Sequence, residues 1–141
     1  MGQGLKRSDL QAHAQAKLDD AIILLQNSRF SNAYYLAGYA VELGLKACIS
    51  RQMVAETIPD RTLIGKVFSH DPRTLVGLAG LARQLQEQED NDPNFAANWA
   101  LAARWTPDSR YEPVEQAKAQ TLISAISDPT SGVLQWIKMH W

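Results

Sequence analysis

The stretch YYLAGYAVELGLKAC, Tyr34 to Cys48, constrains this chain more than any other part of it. At about 100° per residue it sets Tyr35, Tyr39, Glu42 and Lys46 along one helical face. Leu36, Ala40, Leu43 and Ala47 fall on a neighbouring face, and Tyr34, Gly38, Val41 and Leu45 on another. A helix that is apolar on most sides is covered on most sides. The spacing therefore predicts a central helix of a bundle, or one shared with a second subunit, running from Ser31 (or Ser28) to about Gln52. Gly38 and Gly44 each cost about 1 kcal/mol against alanine in a helix interior, so another helix is expected to approach closely there.

The flanking sequence continues in helices. Ser8 and Gln11 form a capping-box pattern, with Asp9 suited to the positive end of the dipole. Leu18, Ala21, Ile22 and Leu25 follow at helical period to about Asn27. Residues 53–70 read as a connector holding a helical turn. Asp71 and Pro72 then open a helix with an inner stripe of Leu75, Leu78, Leu81 (or Ala82) and Leu85. Asp92 and Pro93 open another, which ends before Pro107, and a helix from Pro113 carries Val114, Ala117, Leu122 and Ile126. VLQWIKMHW closes the chain as a last helical segment. With no alternating runs or hairpin turns, the expected fold is all-α, an antiparallel up-and-down bundle of about five helices in one domain. Residues 1–7 are expected as a flexible N-terminal tail.

Composition narrows the function classes. The 141 residues carry a formal net charge of -1, so no global basic field exists to hold nucleic acid. Any RNA contact needs a local patch. The single cysteine, Cys48, precludes an internal disulfide and suits a reducing cytoplasm. MGQGLKRSDLQ lacks the apolar core of a signal peptide, and no run is long enough to span a bilayer, so a cytoplasmic, membrane-free protein is expected. His13, His70 and His140 lack zinc-like partners, the glycine pairs lack a phosphate-loop context, and Cys48 reads as core. No metal or cofactor is expected.

Glu42 and Lys46 admit two readings. Glu four residues before Lys is the supportive order on a helix, worth about 0.2–0.5 kcal/mol when exposed. Alternatively they form a polar cluster in a cleft framed by Tyr35 and Tyr39.

FSNAYYLAGYAVELGLKACISRQ resembles the second helix of HEPN-domain proteins, in which an aromatic-rich start leads into a Leu-Ala-Gly-Tyr and then a Glu-Leu-x-Leu-Lys-Ala run. SHDPRTLVGLAGL resembles that family's His-Asp entry to a leucine-rich helix, WTPDSRY its Trp…Arg-Tyr loop, and VLQWIKMHW its closing helix. The resemblance spans residues 20–141. It implies a four-helix-bundle core, pairing into a homodimer, and often a minimal nucleotidyltransferase as partner. Some members are metal-independent ribonucleases, frequently of toxin–antitoxin systems, defined by an Arg and a His four to six residues apart on a late helix. This chain departs from that pattern. Arg61 and His70 lie too far apart, and only Arg7 and His13 satisfy the count, on different faces of the first helix.

Catalytic residues are therefore not assigned. The resemblance, with the ribonuclease motif missing, implies a nucleotide- or RNA-binding module or a nucleotidyltransferase partner. A ribonuclease with a non-standard set such as His70, Arg73 and Arg110, or a purely structural dimer, are the alternatives. Candidate ligand-binding residues are Glu42, Lys46, His70, Arg73, Arg110 and Tyr111. His70 and Arg73 stand at a helix N-terminus that suits phosphate, although capping alone accounts for Asp71. Arg110 is free to take phosphate or to pair with Glu42 or Glu112. The segment from Arg61 to Arg83 is locally basic and the one stretch where an anion site is sought.

Overall fold

A single buried helix organises the molecule. The computed structural model describes residues 4–141, and α2 (Phe30–Ser50) packs against most of the other elements. Around it stand α1 (Arg7–Gln26), α3 (Arg61–Lys66), α4 (Pro72–Leu78), α5 (Ala82–Asn91), α6 (Pro93–Ala103), α7 (Gln116–Ser127) and α8 (Val133–Lys138), with a 3-10 turn at Pro107–Tyr111. Among the described residues the fold is all-α, without a strand. A bundle is what the periodicity predicts, but among the described residues eight helices stand where about five are expected, because the connector folds α3 and the helix opened by Pro72 divides at Gly80.

The α1–α2 hairpin is the most extensive contact. Leu10, Ala14, Leu18 and Ala21 of α1 are buried at helical spacing, while Ala33, Ala37, Ala40 and Ala47 are buried in α2. Alanines at such positions let two helix axes come close while costing little side-chain entropy. On α2, Gly44 meets the expected helix, whereas Gly38 meets a side chain from a loop. The packed groups are the Trp105 indole, just beyond α6, at Gly38 and Ile137 of α8 at Gly44.

Three boundaries differ from the sequence expectation. Helix α1 begins at Arg7 with Lys6 at the N-cap and no side-chain cap, so Ser8 and Gln11 make no capping box. The Leu10 N–H already bonds the Lys6 carbonyl at 3.0 Å, which draws Ser8 into the first turn. Of the stretch expected as a tail, Arg7 is thus helical, and residues 1–3 lie outside the described residues. The helix read as continuous from Pro72 divides into α4 and α5. Gly80 takes φ +72° and the Leu81 N–H bonds the Val76 carbonyl at 3.1 Å, which is the Schellman closure of a helix end. Helix α7 begins at Gln116 rather than Pro113, because the Val114 N–H is spent on the Ser31 hydroxyl at 3.0 Å.

The proline-opened helices conform to expectation. Asp71 Oδ1 accepts from the Arg73 N–H at 3.2 Å, and its other oxygen accepts from Thr74 Oγ1 at 2.9 Å. Asp92 Oδ1 accepts from the Asn94 and Phe95 N–H groups, and Oδ2 accepts from Ser131 Oγ at 2.8 Å, tying α6 to the α7–α8 turn. These bonds, Ser131 foremost, hold the Asp92 carboxyl below its ordinary pKa. A depressed carboxyl stabilises the fold above its unfolded pKa, and that stability is lost as pH falls through the folded one. Asp92→Ala is expected to lower the melting temperature by about 3 °C near neutral pH, with the deficit vanishing in acid. Thermal denaturation of both proteins at neutral and acidic pH checks this.

Three of the four tryptophans are core. Trp136 packs against Phe95 at 5.5 Å and Trp99 at 6.4 Å between ring centroids, and Trp105 is buried against α2. Cys48 is buried too, and burial pushes its thiol up to about 12, so it is inert core as expected. No described helix is long and apolar enough to cross a membrane.

Candidate functional site

One strip of α2 escapes full cover. Tyr35, Tyr39, Leu43 and Lys46 are half-buried at helical spacing, while the faces beside them are packed under other helices. Within this strip Glu42 is the exception, a charged side chain only 2% exposed.

A carboxylate so buried requires partners, and two elements supply them. Lys46, one turn on, donates from Nζ to Glu42 Oε2 at 3.2 Å. His70, from the loop that opens α4, donates from Nδ1 to Glu42 Oε1 at 2.7 Å. Lys46 is 14% exposed and His70 55%. The carboxylate thus fixes the orientation of the imidazole and directs the Nδ1 proton inward, while much of the ring stays in solvent. Both readings of the pair find a place here. It is a supportive i, i+4 pair, and it is the buried root of a polar cluster that reaches the surface through His70.

The other end of the strip is aromatic and cationic. Tyr35 and Tyr39 lie 6.0 Å apart between centroids, and Tyr35 lies 5.9 Å from Trp105. Burial first, then the Glu42 charge, then Tyr35 push the Tyr39 hydroxyl above its ordinary pKa, so it stays a neutral donor. The Arg110 guanidinium stands 4.8 Å over the Tyr111 ring. The hydroxyls of Tyr111 and Tyr35 hold Arg110 above its ordinary pKa, so it is cationic at any working pH. Two buried polar atoms in this loop, Trp105 Nε1 and Ser109 Oγ, have no hydrogen-bond partner among the described residues.

The candidate residues are therefore partly assembled. Glu42, Lys46 and His70 form one bonded cluster. Arg110 and Tyr111 form a second, and the Tyr35–Tyr39 pair bridges the two. Two pairings considered for Arg110 do not occur, since neither Glu42 nor Glu112 forms an ion pair with it among the described residues. His70 occupies the place on Glu42 that the Arg110 loop was expected to take. Arg73 is exposed on α4, and its side chain makes no hydrogen bond or ion pair among the described residues. The basic stretch from Arg61 to Arg83 is spread over three helices, and Arg83 is occupied by Glu87 at 3.0 Å.

Comparison of the chain with protein-family models, curated proteins and solved structures finds no match.

The chemistry of the strip rests on its own geometry. Among the described residues no three His, Cys, Asp or Glu side chains gather into a metal-holding group. The strip offers an imidazole held by a carboxylate, a permanent guanidinium, and tyrosine rings between them. Trp105 is the contributor that sequence reading missed. It backs Tyr35, and the bare glycine at position 38, with no room for a Cβ beneath the indole, is the sequence signal of a close neighbour there.

Proposed function

We propose that this chain is a HEPN-like bundle that binds the phosphate and base of a nucleotide or RNA segment on the open strip of α2. It works as a paired module alongside a second copy or a minimal nucleotidyltransferase. The observation that carries this reading is the order of groups along the strip, with tyrosine rings between the Arg110 cation and the Glu42-held imidazole. Aromatic faces stack bases without sequence preference, and cationic groups take phosphates. The Tyr35 and Glu42 levels stand about 10 Å apart along the helix, room for one nucleotide unit. The net charge of -1 fits a local contact of this kind rather than a groove tracking long nucleic acid.

Trp105 supplies the readout, because its indole packs on Tyr35. Titration with ATP or a short single-stranded RNA is expected to give saturable, salt-sensitive quenching of tryptophan emission. Arg110→Ala is expected to weaken binding about tenfold, the loss of one charge-assisted contact. A flat titration, or equal affinity in both proteins, would remove the proposal. Pairing is tested separately by light scattering, with twice the chain mass expected.

The 2.7 Å contact from Glu42 to His70 favours a second reading, a metal-independent ribonuclease. A histidine oriented by a buried carboxylate is equipped to take the proton from an RNA 2′-hydroxyl or return one to the leaving oxygen. Purified protein and His70→Ala, incubated with the same RNA, decide this. Equal RNA loss from both means the activity is not the chain's own.

A further inference from the structure

Leu5 and Phe68 are 73% and 76% exposed, an uncommon state for two large apolar side chains that line one cavity. The cavity at whose mouth they stand has a volume of about 340 Å³ and is walled mainly by apolar residues, Ile49 of α2, Met53 and Val67 among them. Lys46 lines it and is the one charged side chain to do so among the described residues. Lys6 and Lys66 each neighbour a lining residue in sequence, against Asp9 alone of the opposite sign, while Arg51 turns away to the His140 carbonyl.

We infer that this cavity binds an apolar chain ending in a carboxylate, of the medium-chain fatty acid class. An ammonium has three donors, and Lys46 gives one to Glu42. The remaining donors are free for a second carboxylate at the cavity edge, and the Glu42 oxygen facing away from Lys46 is already taken by His70. Ser50, the other polar side chain of the wall, has turned its hydroxyl to the Ala47 carbonyl at 2.6 Å, so it does not hydrate the interior. A methylene occupies about the volume of a water, roughly 30 Å³, so the space holds a chain of about ten carbons. Leu5 and Phe68 supply apolar cover for that chain once it is seated. The cationic flank matches an acid better than a neutral lipid, and it disfavours two copies meeting face to face through this patch, since like charges would oppose. The cavity shares Lys46 with the strip but opens on its other side, since neither Glu42 nor His70 lines it.

Calorimetric titration of the full chain with hexanoate, octanoate and decanoate, kept below micelle-forming concentrations, tests the assignment. Affinity is expected to rise about fourfold per methylene up to roughly ten carbons and then level off. Decanol is expected to bind at least tenfold more weakly than decanoate. Lys46→Met is expected to abolish that preference, and Phe68→Ser, a change at an exposed position that leaves the core intact, to weaken all ligands. Non-saturable uptake, affinity independent of chain length, or equal binding of acid and alcohol by the unaltered protein would overturn the assignment. So would self-association of the chain that Phe68→Ser abolishes and decanoate does not affect, because the patch would then belong to a second copy. The acid–alcohol comparison uses the unaltered protein, so the outcome stands even where Lys46→Met fails to fold.

Discussion

Gly38→Ala is expected to be among the most damaging single-methyl additions in this protein, costing about 3 kcal/mol or more and lowering the melting temperature by roughly 10 °C. A Cβ at position 38 would lie 2.1 Å from Cγ and Cδ1 of the Trp105 ring. The obstacle is the body of a rigid indole only 1% exposed, not the free end of a flexible chain. Alanine returns about 1 kcal/mol of helix propensity, which the clash outweighs. Trp105→Leu alone is destabilising because it empties core volume, about 2–4 kcal/mol. In the double variant the clash is relieved, so the two costs should fall short of their sum by about 2 kcal/mol. Urea denaturation of the four proteins measures this directly, and strict additivity would show that Trp105 does not rest on Gly38. The same experiment bears on the candidate site, since Trp105 backs Tyr35.

Glu42→Ala carries the second large effect. Removing the carboxylate leaves the half-buried Lys46 ammonium and the His70 imidazole without their shared acceptor, and it opens space in a wall of α2. Breaking a fully buried pair costs about 3–5 kcal/mol. Lys46 and His70 both reach solvent, which lowers the expectation here to about 2–3 kcal/mol. Glu42→Gln keeps the shape and one oxygen acceptor for His70, so a loss of about 1 kcal/mol is expected. Chemical denaturation of the three proteins checks the order, and an Ala variant as stable as the parent would mean that Glu42 is not committed to these partners. The variants also separate structure from function. Glu42→Gln should fold with His70 still in place but with a weaker hold on its proton-bearing nitrogen.

The helical architecture was legible because α2 announces itself on three faces at once, and because Asp-Pro pairs mark two helix starts with a side-chain cap and a ring that fits the first turn. The break at Gly80 was also present in the sequence, as a glycine in the C′ position. The apolar pattern runs on across it, from Leu78 to Leu81 and Leu85, and periodicity alone does not register a left-handed residue. The start of α1 was misread because a capping box is a local pattern, while the burial of Leu10 fixes where the first turn closes. At the candidate site, Glu42 and Lys46 were legible as an i, i+4 pair. The contact with His70 was not, since 28 residues separate it from Glu42 and nothing in the Ser-His-Asp run says which helix the imidazole meets. Arg110 illustrates the reverse. Its sequence offers Glu42 and Glu112 as partners, yet the 3-10 turn at Pro107–Tyr111 turns it onto its own neighbour, Tyr111.

The most direct measurement is amide and side-chain chemical-shift mapping by NMR as ATP, then a short RNA, is added to the isotope-labelled chain. The account predicts saturable shifts at Tyr35, Tyr39, His70 and Arg110 that share one dissociation constant, with the α6–α7 face unmoved. Shifts confined to other helices, or none at ligand concentrations in the millimolar range, would contradict it.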